Sequence, residues 1–372
     1  MADWGRWRIA TTPILVATVG LAGCAVLVAG TNLARAPLGP STQAPTRSGV
    51  APHHLVVVIE ENHSFGQIIG SPAAPFVNRL AARGILLTDY HAVTHPSLPN
   101  YVALLSGRTP IRSDCRACTF AGPTLVDQLE ARHISWAAYF QGLPQPCSMV
   151  AGAGAYTEAV DPFMHAARIR DHPSRCDRVL PFGRFGADLA GGRLPTVAFV
   201  MPDLHHEMHS GPARVADAWL RRLVGELRAS PLWRQDTRLV VTFDESRGRD
   251  VRSCCHRLGR GGRIPTIVAG PRVPRGRDPV PYTHYSLLRS IEADYGLPFL
   301  GHAGDPATAT IPAVAGRAPA GPPANLRSSF TVTARTTRAV TGERRPSVQA
   351  RASWQTQEPV PASKTPAPLG AV

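Results

Sequence analysis

Residues Leu55 to Ile59 form an unbroken apolar run, LVVVI, that stops on two consecutive carboxylates, Glu60 and Glu61. A β-branched run without polar alternation suits a strand buried on both faces, as in a parallel sheet sandwiched between helices. Two further runs share the plan. Val197 to Met201 leads into Pro202-Asp203, and Leu239 to Phe243 leads into Asp244-Glu245. The patterning predicts strands over His54–Glu60, Ile85–Val93, Ser135–Phe140, Thr196–Met201, Thr237–Phe243 and Ile264–Ala269. It predicts helices over Pro75–Arg83, Ser97–Leu105, Pro123–Arg132, Val215–Arg228 and Tyr285–Tyr295. Alternation of this kind specifies an α/β domain with a mostly parallel central sheet covered on both faces. Met149–Phe182 shows neither period and is expected to be a long irregular insertion, functional or tied by a disulfide.

The 372 residues divide by composition. Arg6 and Arg8 precede an apolar stretch from Pro13 to Gly30, so residues 1–36 are expected to be a signal peptide or membrane anchor. Ala34-Arg35-Ala36 resembles a cleavage site, and Leu21-Ala22-Gly23-Cys24 resembles a lipoprotein box. Cleavage, an uncleaved anchor and lipidation all put the domain outside the cytoplasm, secreted or held on the outer face of the bacterial cytoplasmic membrane. Residues 37–49 form a Pro/Ser/Thr-rich linker, 50–312 the catalytic domain, and 313–372 a disordered basic Pro/Ala/Thr-rich tail. The net charge of +14 is concentrated at the ends: residues 1–49 carry +3 and 313–372 carry +6, leaving +5 for the domain. That balance, without aromatic-basic interleaving, argues against a nucleic-acid partner. Beyond Cys24 the chain has Cys115, Cys118, Cys147, Cys176, Cys254 and Cys255, which in an exported domain predict disulfides. Cys115-Arg116-Ala117-Cys118 and Cys254-Cys255-His256 leave a zinc-ligand alternative open.

In open α/β sheets, ligands collect at the carboxyl ends of the strands. Hard cations favour carboxylate and amide oxygens, so Glu61, Asn62, Asp244 and Glu245 are candidate ligands for a divalent metal, with Mg, Ca, Mn and Zn all admissible. Thr94-His95-Pro96-Ser97-Leu98-Pro99-Asn100-Tyr101 puts Ser97 at a helix start, where unpaired N–H groups and the dipole favour an anion such as phosphate. A nearby metal would activate that hydroxyl as a nucleophile. Asn100 is positioned to donate to a phosphate oxygen. His205, His206 and His209 crowd the loop after Val197–Met201, a pattern for metal binding or proton transfer. His95, Asp203, His206 and His284 are further candidates for phosphate binding or a second site. There is no Gly-rich nucleotide loop and no Gly-x-Ser-x-Gly elbow.

Glu61-Asn62-His63-Ser64, the Thr94–Tyr101 segment, Asp244-Glu245 and His284-Tyr285-Ser286-Leu287-Leu288 together resemble the bacterial phosphoesterase family. That family holds secreted acid phosphatases, phosphatidylinositol phosphatases and phospholipases C, within the alkaline phosphatase superfamily. The resemblance spans about residues 54–312. It implies an alkaline-phosphatase-like α/β/α sandwich, Ser97 as nucleophile and metal on Glu61, Asn62, Asp244 and Glu245. It also implies His209 as leaving-group or phosphate partner, with His284 at the same site. Two segments depart from the family pattern. Asn-Asp-Met-His-Asp is here His206-Glu207-Met208-His209-Ser210, and Arg-His-Asn-Pro is here Ala159-Val160-Asp161-Pro162. The expected activity is hydrolysis of a small-molecule or lipid phosphate ester through a phosphoserine. The alternatives are a phospholipase C-type phosphodiesterase and a non-catalytic envelope-binding protein.

Overall fold

A computed structural model describes residues 54–248 and 253–316. The expected signal peptide or anchor (1–36) and linker (37–49), and the part of the expected tail (313–372) from Arg317 onward, lie outside the described residues. The elements run β1 (Leu55–Glu60), α1 (Phe65–Ile68), α2 (Pro75–Arg83), β2 (Ile85–His91), α3 (Ser97–Ser106), α4 (Leu125–Ala131) and β3 (Trp136–Phe140). A small hairpin of β4 (Gly152–Ala153) and β5 (Tyr156–Thr157) follows, then α5 (Pro162–His165), α6 (Ala167–Arg170), α7 (Pro173–Cys176), β6 (Val179–Pro181) and α8 (Gly183–Ala190). The chain continues through β7 (Val197–Met201), α9 (Ala213–Ala229), α10 (Pro231–Arg234), β8 (Arg238–Phe243), β9 (Thr266–Ala269), β10 (Gly276–Thr283) and α11 (His284–Tyr295).

Eight strands form one sheet in the order β10-β2-β9-β8-β1-β7-β3-β6. Only β9 runs antiparallel to its neighbours, β2 and β8. β1 lies at the centre between β7 and β8, and its six residues are all buried. Helices α2 and α9 pack together, as do α3 and α11, giving the layered α/β architecture that the alternating pattern predicted. Asp217 of α9 joins the first pair: its carboxylate accepts the Phe76 and Val77 N–H groups at the start of α2, at 3.0 and 2.8 Å. Those N–H groups have no partner within their own helix, so a buried acceptor from a neighbour completes it.

Two expectations change. Met149–Phe182, expected to be irregular, folds into the hairpin, three short helices and β6, which joins the main sheet through β3, and the Cys147–Cys176 disulfide ties it down. Phe163, Met164 and Ile169 from this stretch are buried in the core. Packing also continues past residue 312. Val314 is fully buried, and its carbonyl accepts from Arg238 Nη1 at 2.9 Å. The cysteines pair as Cys115–Cys118, Cys147–Cys176 and Cys254–Cys255, so the zinc alternative for these thiols falls away. Among the described residues, no helix is long and apolar enough to cross a membrane.

Candidate active site

Glu61 and Asp244 come together because β1 and β8 are parallel neighbours in register, Glu60 opposite Phe243, so the next residue of each strand emerges at the same height. Asn62 turns the chain sharply, with a left-handed φ of 55°, and its backbone N–H donates to Asp244 Oδ1 at 2.9 Å. Its side-chain amide donates to Glu61 Oε2 at 3.2 Å and reaches Ser97 Oγ at 3.4 Å. Ser97 opens α3 and is 7% exposed. Tyr101, one helical turn on and therefore on the same side of α3, donates its hydroxyl to Glu61 Oε1 at 3.0 Å. Three chain segments thus converge on one serine hydroxyl and two buried carboxyls.

The loop after β7 adds a third carboxyl. The Glu61 N–H donates to the Glu207 carbonyl at 2.7 Å, which docks this loop against the end of β1. Glu207 is 1% exposed. Met208 takes a left-handed φ of 76°, and beyond it His209 lies half out in solvent. Its Nδ1 stands 3.6 Å from Glu61 Oε2 and 3.9 Å from Glu207 Oε1. Non-glycine residues in the left-handed region cost of order 1 kcal/mol each, and here two of them flank the cluster.

Burial dominates the electrostatics. It lifts Glu61 to about 7 and Glu207 to about 10, and holds Asp244 well above the ordinary carboxylate range. Repulsion among the carboxylates adds to the rise, while the Tyr101 hydroxyl and the Asn62 amide oppose it at Glu61. Asp244 Oδ2 and Glu207 Oε1 are buried without a hydrogen-bond partner. Ligand atoms of Glu61, Glu207 and His209 lie within 4.8 Å of one another. Unpartnered, mutually repelling oxygens of this kind match the donor set of a divalent cation, whose charge would return all of them to the ionised state.

Several expected site residues have other roles. Asn100 uses its amide protons on the Thr94 and Pro96 carbonyls, at 2.9 and 3.0 Å, and its Oδ1 accepts the Val93 and Thr94 N–H groups. It clamps the Ser97 loop and has no proton left for a phosphate. His95 Nδ1 is 2.7 Å from Glu245 Oε2, tying that loop to the end of β8. His284 is buried, and its Nε2 lies 2.7 Å from the Asp244 carbonyl. A carbonyl only accepts, so Nε2 carries the proton and Nδ1, 3.2 Å away, takes the Tyr90 hydroxyl. Burial lowers the His284 pKa to about 4, which keeps it neutral as a prop under Asp244 and not a phosphate ligand. The side chains of Asp203 and His206 bind each other at 2.6 Å, and the Asp203 carbonyl accepts the Glu207 N–H at 2.9 Å, so among the described residues this pair braces the Glu207 loop with no side-chain hydrogen bond or ion pair to Ser97, Glu61 or Asp244. The helix start is also less open than expected, because Asp114 Oδ1 takes the Leu98 N–H at 2.9 Å. Glu207 and Tyr101 are the additions. Tyr101 stands four residues after Ser97, a spacing that already put both on one helix face.

The phosphoesterase family matches residues 71–298. The chain belongs to that family. It is therefore a phosphate ester hydrolase. It is 35% identical over 254 residues to a phosphatidylinositol-3-phosphatase of Mycobacterium tuberculosis, covering 67% of this chain and 79% of that protein. It is 31% identical to a phosphate-repressible acid phosphatase of Penicillium chrysogenum, covering 73% of this chain and 65% of the relative. With a probable acid phosphatase of Kluyveromyces lactis the identity is 29%, over 69% of this chain and 62% of the relative. The chain thus spans under two thirds of these two fungal proteins. Among solved structures, it is similar to an alkaline phosphatase superfamily protein from Vibrio parahaemolyticus, at 14% identity and a TM-score of 0.48, covering 68% of this chain and 70% of that one.

Proposed function

We propose that this phosphoesterase is an exported, metal-dependent phosphomonoesterase that works through a phosphoserine at Ser97. The observation that carries the reading is the position of the Ser97 hydroxyl. It sits 3.4 Å from the Asn62 side-chain amide, which also donates to Glu61, while the Asn62 backbone N–H donates to Asp244. A divalent cation held by Glu61, Asn62 and Asp244, with Glu207 and His209 alongside, would supply the charge that lowers the serine pKa and polarises the phosphoryl group. The chain's own groups do the rest. Ser97 Oγ attacks phosphorus in line, the new O–P bond forms as the ester P–O bond breaks, and a neighbouring carboxylate receives the serine proton. His209, half-exposed at the mouth of the cluster, protonates the departing alkoxide. Water then cleaves the phosphoserine, releasing phosphate and restoring the hydroxyl. Asn100 and His284 keep the loop and Asp244 in place throughout.

Six cysteines, all paired among the described residues, support an oxidising compartment outside the cytoplasm. The names of the relatives favour phosphate monoesters, soluble or on an inositol lipid, over the phospholipase C reaction. The test is hydrolysis of an aryl phosphate and of a bis-aryl phosphodiester, with and without chelator, by the wild type and by Ser97→Ala. We expect turnover of the monoester, its loss with chelator, and a fall of at least about a thousandfold in the folded variant. Full activity of Ser97→Ala would remove the phosphoserine route, and preferential diester turnover would favour the phospholipase C reading.

A further inference from the structure

β9 separates β2 from β8 in the sheet, so the strand that leads to Ser97 and the strand that ends at Asp244 are not paired with each other. A buried side-chain route joins them instead. The parallel β10–β2 pairing sets Tyr282 opposite Tyr90 and Thr283 opposite His91, which brings His284, the first residue of α11, beside Tyr90. The two rings meet edge to face with centroids 5.6 Å apart. The Thr283 N–H donates to Ser286 Oγ at 3.1 Å, which fixes the helix start that carries the imidazole.

The direction of this route is forced. The Asp244 carbonyl only accepts, so His284 Nε2 carries the proton that reaches it at 2.7 Å. Nδ1 of the neutral ring is then a bare lone pair, and the Tyr90 hydroxyl, 3.2 Å away, is its donor. The Tyr90 oxygen is hydrogen-bonded in turn by Thr242, whose Oγ1 pairs with Thr266 Oγ1 at 2.8 Å across β8 and β9. Thr242 Oγ1 also lies 3.5 Å from the Phe243 carbonyl, too long to compete. Thr266, Thr242, Tyr90 and His284 are all buried. A buried polar chain in which each member is satisfied is rigid, because breaking any link strands a desolvated group.

The far end of the route holds a residue with one atom to spare. The Asp244 N–H donates to the Glu60 carbonyl at 3.0 Å, its carbonyl accepts from His284, and Oδ1 accepts the Asn62 N–H at 2.9 Å. Oδ2 is buried without a partner. The ties to Glu60 and Asn62 come from β1 and the turn after it. The tie to His284 comes from α11 and fixes the peptide that joins Asp244 to Glu245. We infer that Tyr90 is a positioning residue for the cation site: through His284 it holds that peptide, and so aims Asp244 Oδ2 at the divalent ion. The inference rests on the metal-dependent reading above and extends it to β2, the strand that also delivers Ser97. Partners that orient a ligand from behind in this way set metal affinity without touching the ion.

The test is calorimetric titration with Mn²⁺ alone, without substrate, of the wild type, Tyr90→Phe, His284→Leu and His284→Gln. Glutamine offers one N–H donor and one acceptor oxygen in place of the two ring nitrogens, so it keeps both bonds. The Mn²⁺ Kd should rise about tenfold in Tyr90→Phe and about tenfold to a hundredfold in His284→Leu, and stay within about threefold of wild type in His284→Gln. With an aryl phosphate, the Mn²⁺ concentration for half-maximal rate should rise by the same factors while KM for the ester stays within about twofold. Wild-type Mn²⁺ affinity in Tyr90→Phe, or binding by His284→Gln as weak as by His284→Leu, would overturn the assignment. A wild type that binds no cation would count against the metal-dependent reading, and amide exchange on the metal-free protein then reads the hold on Asp244 directly. Exchange at residues 243–246 should quicken about tenfold in Tyr90→Phe and His284→Leu, with β7 at the wild-type rate. Unchanged exchange at 243–246, or faster exchange throughout the sheet, would overturn it.

Discussion

Asp161 offers a test of the electrostatic reasoning that is independent of catalysis. It occupies the third place of Ala159-Val160-Asp161-Pro162, where the family pattern has asparagine. The side chain is wholly buried and caps α5: Oδ1 accepts the Phe163 and Met164 N–H groups, each at 3.1 Å, and Oδ2 accepts the Tyr156 hydroxyl at 3.1 Å. Burial nonetheless outweighs these bonds and raises its pKa from 3.8 to about 7. Because the folded value is above the unfolded one, the native state binds the proton more tightly. Stability is therefore undiminished below pH 3.8 and falls as the pH rises to about 7, after which the penalty is constant. The full penalty is about 4 kcal/mol, at about 1.4 kcal/mol for each pH unit crossed. Asp161→Asn keeps the Oδ1 acceptor, lets Nδ2 donate to the Tyr156 oxygen and has no charge to desolvate. Urea unfolding of both proteins between pH 4 and 8 should show little difference at pH 4 and a growing advantage for the variant, reaching about 2–4 kcal/mol at pH 8. Other buried acids that titrate in this window, such as Glu292 at about 8, are common to both proteins and cancel in the difference. A difference that stays flat with pH, or a variant less stable at pH 8, would refute the assignment of a desolvated Asp161.

Three further outcomes follow from named contacts. Asp217→Ala leaves the Phe76 and Val77 N–H groups buried without acceptors and should cost about 2–4 kcal/mol, read as a lower urea midpoint. Replacing Cys147 and Cys176 by Ser opens a cross-link spanning 29 residues and should cost about 3–4 kcal/mol, with thermal melts as the check. Tyr101→Phe removes the donor to Glu61, which favours the protonated carboxyl, so the acid limb of the pH–rate profile should move to higher pH by about half to one unit. An unmoved limb would mean that Glu61 ionisation does not govern activity.

The strong elements were legible because they bury one kind of surface throughout. β1, β7 and β8 are continuous apolar runs, and α2 begins on its proline as the sequence predicts. β10 was not legible. Its sequence GRDPVPYT carries two prolines and six of its eight residues lie outside the core, a composition tolerated only at the sheet edge where it stands. The short helices of Met149–Phe182 were missed for a related reason: four-residue helices display no period. At the site, residue type and motif singled out Asn100, His284 and Asp203 as chemical candidates. Which protons and lone pairs those groups had left to offer was a matter of partners distant in the chain.

By itself, the sequence determined the α/β class, the strand ends where carboxylates would gather, and Ser97 as the candidate nucleophile, because apolar periodicity and motif spacing are local properties. Tertiary structure decided the rest. It put Glu61 beside Asp244 through the β1–β8 register and folded Glu207 and His209 back over them. It turned Asn100 and His284 into supports. Those outcomes depend on desolvation and on hydrogen-bond partners up to 194 residues apart, and neither is written in any local stretch of chain.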